Sequence, residues 1–207
     1  MEINGIELVW LGHAAFKIKA EGLVLYIDPF EISENEKADI ILITHEHYDH
    51  CSEKDIQKII KEKTQVVCNK STAMKLKTNA VIIEPNQEKN IFGVGIKAVP
   101  AYNIGKQFHP KGSGIGFIIN IVGTRIYHAG DTDLIPEMHD ISKIDVALLP
   151  VGGKYTMNPE EAAEAAEIIK PKIAIPMHYG AIVGTPKEAQ TFKELYSGRT
   201  CILNKNQ

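Results

Sequence analysis

Twice along this chain an apolar run of strand length leads into a short loop and then a capped helix, and that repeated order leaves few folds open. The first instance is Ala38 to Ile43, broken only by Asp39. Its loop is Thr44 to Cys51, and its helix has Ser52 as N-cap, Asp55 three residues on, and Ile56, Ile59 and Ile60 on one face. The second is Ile144 to Leu149, followed by Asn158-Pro159-Glu160-Glu161, a cap with proline at the first helical position and acids in the first turn. Ala162 to Ile169 continue that helix. A run without polar alternation suits a strand covered on both faces, and strand–helix–strand order suits a parallel sheet.

The likeness of the two halves reaches further. Strands are predicted at Ile6 to Leu11, Ala14 to Ile18 and Leu23 to Ile27, punctuated by Gly12 and Glu21-Gly22. The hairpin from Ala14 to Ile27 is mirrored by Ile115 to Val122, a Gly123-Thr124 turn, and Arg125 to His128. Gly22 then corresponds to Gly123 and Tyr26 to Tyr127, an offset of 101. Asp39 corresponds to Asp145 and Ser52 to Asn158 at an offset of 106, which also pairs the strand Val66 to Asn69 with Lys172 to Ile175. A short helix is predicted over Ser71 to Lys77, a strand over Val81 to Ile83, a last helix from Thr185-Pro186 to about Tyr196, and a closing strand over Thr200 to Leu203. Two β-rich halves, each followed by helices, predict an α/β protein with two inward-facing sheets and helices outside, a four-layer αββα sandwich. With 207 residues, one domain over 1–207 is expected, with little chain left for a substrate-specific arm.

Composition narrows the function. Net charge is −3, so a basic face for nucleic acid or an anionic membrane is not expected. Cys51, Cys68 and Cys201 are too few and scattered for a disulfide framework. Met1 to Gly5 do not read as a signal peptide, and no apolar stretch approaches the length of a membrane span. The expectation is a cytoplasmic domain acting on a small-molecule substrate, without membrane or nucleic-acid partners, with homo-oligomerisation left open.

Eight histidines are the unusual entry, and three of them fall in Thr44-His45-Glu46-His47-Tyr48-Asp49-His50. This run leaves a buried strand and enters a helix cap, where a rigid sheet holds loop residues in place. Imidazole with carboxylate suits zinc and other borderline divalent ions. His45 and His47 are two apart, so an extended backbone points them the same way, and Asp49 and His50 can face a second ion. Further ligands must come from other strand ends: Asp131 in Ala129-Gly130-Asp131-Thr132, His178 in Met177-His178-Tyr179-Gly180, and His109 or His128. Asp131 could bridge two ions about 3.5–4 Å apart.

These motifs, with Trp10-Leu11-Gly12-His13 and Tyr26-Ile27-Asp28-Pro29-Phe30, resemble the metallo-β-lactamase-fold hydrolase superfamily over nearly the whole chain. Within it the chain is similar to small metal-dependent hydrolases related to ascorbate-6-phosphate lactonase and N-acyl-phosphatidylethanolamine phospholipase D. The resemblance implies the duplicated sandwich. It also implies one ion on His45, His47 and a third histidine, and a second on Asp49, His50 and His178, with Asp131 bridging. Two divalent ions follow, zinc first, manganese or iron as alternatives. The implied activity is hydrolysis of a small ester, lactone or phosphodiester by a metal-bridging hydroxide, with Asp49 or Asp131 taking its proton. The alternatives are a nuclease on RNA or DNA, which lacks a gripping arm here, and a diiron-type redox protein, whose relatives tend to carry glutamate where His47 stands.

The family's third histidine usually follows a Pro-Ala segment, but Pro100-Ala101-Tyr102 leads to Asn103. His109 is favoured, since its loop leads into the Ile115 strand, and His128 is read as a donor packed beneath the site. Asp28 is the candidate acceptor for a metal-bound histidine's second nitrogen, and His13 is a further candidate to reach the pocket. By the repeat, Val151 to Met157 should share the rim with the His45 loop. Lys106, Lys111 and Lys154 are candidates to meet an anionic substrate, and Tyr48, Tyr155 and Tyr179 to donate a hydroxyl. Cys51 reads as a packed thiol and His139 as a surface residue.

Overall fold

A computed structural model describes every residue except Glu34, Thr78 and Gln207. One sheet holds seven strands in chain order: β1 (Glu2–Ile3), β2 (Ile6–Gly12), β3 (Ala15–Ala20), β4 (Leu23–Ile27), β5 (Ile40–Ile43), β6 (Gln65–Cys68) and β7 (Val81–Ile82). The other holds six, also in order: β8 (Glu88–Ile91), β9 (Val94–Ala101), β10 (Gly114–Ile121), β11 (Thr124–His128), β12 (Val146–Pro150) and β13 (Ile173–Met177). Each sheet begins antiparallel and turns parallel, at β4–β5 in the first and β11–β12 in the second. Helices α1 (Glu53–Ile59) and α2 (Lys70–Leu76) belong to the first half, α3 (Pro159–Ile169) and α4 (Pro186–Leu195) to the second.

Period-two alternation decides which layer each strand residue joins. Leu25, Ile27, Ile40 and Leu42 face the other sheet and share one core with Phe117 and Ile119. Their neighbours Val24, Tyr26, Ile41 and Ile43 point outward into a second core with Ile56 and Ile59 of α1. In the other half, Ala162, Ala165, Ala166 and Ile169 of α3 are buried in the main core. The expected αββα sandwich is therefore the fold. The predicted caps hold: Ser52 accepts from the Asp55 N–H, and Asn158 and Thr185 each form a reciprocal capping box with a glutamate three residues on.

The internal repeat is carried by matched hydrogen bonds. The Asp39 carboxylate accepts from the Val24 N–H at 2.9 Å, and Asp145 accepts from Arg125 at 2.8 Å. The Asp39 N–H returns to the Val24 carbonyl, and that of Asp145 to the Arg125 carbonyl. Lys61 pairs with Asp39 at 2.6 Å and Lys172 with Asp145 at 2.7 Å. In both halves one short aspartate ties the start of the first parallel strand to its neighbour. The next strand corrects the sequence alignment, because Gln65 and Ile173 are the residues bonded to the two aspartate carbonyls. Their offset is 108, since the second half has a longer helix, 11 residues against 7.

Two further expectations are revised. The ribbon β8–β9 is absent from the sequence reading because its outer strand is exposed and polar, so no apolar run announces it. Thr200 to Leu203 forms only an isolated bridge from Thr200 to Ala174.

All the parallel strands of both halves point their C-terminal ends to one edge of the sandwich, where Asp28, Thr44, Asp131, Val151 and His178 emerge. Leu42 and Leu148 are equivalent by the repeat, and both are fully buried in the main core. Leu42→Ala and Leu148→Ala should each cost about 2–5 kcal/mol in urea unfolding. A loss below about 1 kcal/mol at both positions would contradict this packing.

Candidate metal centre

The strand ends present side chains through sharp turns. His13, Asp28 and His178 adopt left-handed backbone conformations, with φ of 51°, 44° and 61°. Such conformations cost roughly 1–3 kcal/mol each outside glycine, so packing of the strands must hold these turns in place. Gly130 lies before Asp131 with φ of 66°, and a Cβ there would stand 2.8 Å from the Ile115 carbonyl oxygen. Only glycine lets the chain turn Asp131 inward at that point.

Two donor sets meet at this edge. In the first, His47 Nδ1 lies 3.0 Å from His45 Nε2 and 3.1 Å from His109 Nε2. Ligands about 2.0–2.1 Å from a tetrahedral zinc stand roughly 3.3 Å apart, so this spacing fits one shared ion. In the second, His13, Asp49, His50 and His178 bring one donor atom each within 4.8 Å of one another. Asp131 lies between the sets. Its Oδ1 is 3.3 Å from His50 Nε2, and its Oδ2 is 3.0 Å from His178 Nε2 and 3.4 Å from His109 Nε2. His50 Nε2, Asp131 Oδ1 and His178 Nε2 are buried without a hydrogen-bond partner among the described residues. Buried polar atoms are nearly always satisfied, so a cluster of orphans of ligand type fits a divalent cation.

The ring nitrogens of His45, His50 and His109 that point away from the centre are held. The His50 Nδ1–H donates to Asp28 Oδ2 at 2.7 Å. The Thr44 hydroxyl donates to the same oxygen at 2.6 Å and accepts from His45 Nδ1 at 3.0 Å. Asp28, fully buried, thus orients His50 directly and His45 through Thr44. His109 Nδ1 donates to Asn103 Oδ1 at 3.0 Å. Asn103 stands where the resemblance calls for histidine. Instead of binding an ion, it holds the histidine that arrives six residues later, and its amide also donates to Asp133. Asn103 and Asp133 escaped the sequence reading. A polar loop residue gives no signal until its partner is placed.

His13 Nε2 contacts Asp49 Oδ2 at 3.1 Å, and its ring centroid is 4.0 Å from that of His178. His128 contacts no ligand atom of the centre. Its Nε2 donates to the Ala14 carbonyl at 2.9 Å and its Nδ1 accepts from the Gly130 N–H at 3.2 Å. This corrects the expectation of a donor to the ligands: His128 pins the backbone of the turn that carries Asp131. Cys51 packs in the outer core, where burial pushes its thiol up to about 11.

Charge is arranged as a buried lattice. Burial works against ionising Asp131, yet the facing His178 and His50 hold its carboxyl well below the usual range. Burial likewise opposes charge on His50, but Asp131 and Asp28 raise it well above its ordinary value. Burial would raise Asp49, but the His13 hydrogen bond and the nearby His50 bring it to about 2. Burial lowers His13, His45, His109 and His128, with His50 adding to the effect at His45.

Over the centre opens a cleft of about 250 Å³ lined by His47, Tyr48, Asp49, Phe108, His109, Asp131, Tyr155 and Ile182. Tyr155 brings the Val151–Met157 loop to the rim, as the repeat implied. Tyr179 is not part of the cleft lining; its ring is tilted against Trp10 with centroids 5.0 Å apart, and burial pushes its hydroxyl up to about 12.

A beta-lactamase superfamily domain model matches residues 7–178. The chain is 34% identical to a UPF0173 metal-dependent hydrolase of Methanopyrus kandleri, over 91% of this chain and 90% of that protein. It is also similar to the crystal structure of a metal-dependent hydrolase from Parabacteroides distasonis, at 33% identity and TM-score 0.89, covering 98% and 94% of the two chains. A metallo hydrolase from Ignicoccus hospitalis matches at 27% identity and TM-score 0.81, covering 98% and 96%. The chain belongs to the metallo-β-lactamase superfamily, and within it to the metal-dependent hydrolases.

Asn103→Leu should lower metal affinity about 10–100-fold by releasing His109, measured by competition with a chromogenic chelator; unchanged affinity would remove Asn103 from the centre. The pH dependence of stability follows from the histidines, whose ordinary value is 6.5. Below 6.5 the unfolded chain takes up protons that the four lowered histidines refuse, so stability falls as pH falls. His50, being raised, contributes fully below 6.5, and its contribution is lost as pH rises through its folded value. With four lowered groups against one raised, metal-free protein should therefore be most stable near neutrality, somewhat above pH 6.5, in chelator-containing buffer. Stability climbing steadily to pH 8.5 would contradict the charge arrangement.

Proposed function

We propose that this chain hydrolyses a small ester, lactone or phosphodiester at a pair of divalent ions, zinc first among them. The carrying observation is the position of Asp131, with one carboxylate between the His45–His47–His109 set and the Asp49–His50–His178 set. Bound there, such ions would lower the pKa of water toward neutrality and act as Lewis acids toward a carbonyl or phosphoryl oxygen.

The residues supply position and proton handling. His45, His50 and His109 keep Nε2 free because Thr44, Asp28 and Asn103 engage Nδ1. Asp131, 3% exposed, is enclosed between the two donor sets and would hold both ions. Asp49, at 13%, reaches the cleft and is oriented at Oδ2 by His13, so its carboxylate is placed to take the proton from an attacking water. His13 steadies that carboxylate. Three unpaired cysteines accord with a reducing, cytoplasmic setting.

Metal analysis should find two ions per chain, and chelation should abolish turnover of generic ester and phosphodiester probes until zinc is returned. Asp131→Asn should lose an ion and at least about 10³-fold in kcat. Full activity of that variant would sink the dinuclear reading. Asp49→Asn should lower kcat by about 10²–10⁴ while retaining folding.

A further inference from the structure

The charges around the cleft narrow the substrate class, on the premise that the centre is hydrolytic. Beyond the centre itself, recognition of a phosphate or other strong anion favours arginine forks or uncommitted lysines. The chain has two arginines, Arg125 and Arg199. Arg125 begins β11, about 10 Å of strand before His128. Arg199 bonds to Ala174 near the start of β13, at the end away from His178. Neither reaches the cleft edge.

Most lysines beside the cleft are committed elsewhere. Lys106 donates to Asp133 at 2.7 Å and to the Thr156 carbonyl at 2.8 Å, bracing the His109 loop. Lys111 pairs with Glu137 at 2.8 Å, Lys75 donates to the Glu46 carbonyl, and Lys154 lies over the Tyr155 ring at 4.9 Å. Lys106 and Lys111, which the sequence offered to an anion, are therefore held by Asp133 and Glu137, while Lys154 stays exposed at the rim on the Tyr155 ring.

The mouth is apolar instead. Phe108 and Ile182 line it while 47% and 39% exposed, and Tyr48 is 64% exposed. Phe108 stands edge-on to Tyr155 at 4.6 Å between ring centroids. The loop under Phe108 is fixed, because Asn103 receives the His109 N–H and Asp133 receives the Ile104 N–H. Exposed apolar side chains held rigidly beside reactive groups mark a ligand-binding wall. The cleft, about 250 Å³, lies below the roughly 300–1,000 Å³ common for drug-sized ligands, so the ligand is small.

We infer that the substrate is a small uncharged carboxylic ester or lactone whose alkyl or aryl group packs between Phe108, Tyr155 and Ile182 while its carbonyl meets the centre. Water adds to that carbonyl carbon as Asp49 takes one of its protons, the acyl C–O bond breaks, the alcohol oxygen leaves with that proton, and the second proton is released to solvent, giving a carboxylate and an alcohol, joined in one molecule when the substrate is a lactone.

The test uses zinc-loaded, full-length protein with p-nitrophenyl acetate, p-nitrophenyl hexanoate and bis-p-nitrophenyl phosphate. A hexyl-substituted γ-lactam, which resembles a lactone but resists hydrolysis, serves for calorimetric binding. The hexanoate should exceed both the acetate and the phosphodiester at least tenfold in kcat/KM. Phe108→Ala and Ile182→Asp, both at exposed positions, should each reduce the hexanoate-to-acetate ratio at least fivefold and weaken lactam binding by a similar factor. A phosphodiester preferred over both esters, or a chain-length ratio and lactam affinity unchanged in both variants, would overturn the inference. Lactam binding that depends on Phe108, without turnover of any probe, would support the apolar seat and overturn the hydrolytic reading instead.

Discussion

The buried carboxylate of Asp28 is the interaction on which the rest of this centre depends. It accepts from the Thr44 N–H at 2.8 Å, the Thr44 hydroxyl at 2.6 Å and His50 Nδ1 at 2.7 Å. A buried carboxylate without such partners would cost several kcal/mol. Satisfied in this way, it joins the ends of β4 and β5 and fixes two histidine rings on adjacent segments. The demand that a buried charge be fully bonded becomes a positioning device for the ligands above it.

The same logic recurs in the other half with different residues. His128 secures the Gly130–Asp131 turn through its backbone, and Asn103, Asp133 and Lys106 secure the His109 loop. A fold made of two similar halves thus supplies two unlike supports. In the first half a strand-end aspartate orients the donor histidines, and in the second a strand-end aspartate sits among them. The repeat survives in the paired aspartates Asp39 and Asp145 at the opposite ends of the strands, where each ties two neighbours together. At the chemical edge the halves diverge because their loops carry different tasks.

Much of the architecture was legible in the chain itself. Buried parallel strands announce themselves because both faces are covered and every position is apolar, as in Ile40 to Ile43. Helix starts were legible because Ser52, Asn158 and Thr185 satisfy backbone donors locally. The β8–β9 ribbon was not, since an exposed edge strand needs no apolar run, and the two-residue shift between β6 and β13 shows only in the ladders. In the centre, the His45–His50 run stands out because four ligand-type residues fall within six positions. The function of Asn103 was hidden because it depends on a histidine that reaches it only after the loop closes.

The sequence by itself determined the halves, the sandwich and the chemical type of the ligands, because periodicity, caps and residue chemistry are local properties. Tertiary structure decided which nitrogen of His45, His50 and His109 faces the centre, that His128 serves the backbone while His109 joins the His45–His47 donor set, and that Lys106 and Lys111 near the cleft are already engaged. Those outcomes rest on distances between residues far apart in the chain. Two hydrogen bonds to Asn103 or one to Ala14 settle what a histidine can do, and only folding brings those partners within about 3 Å.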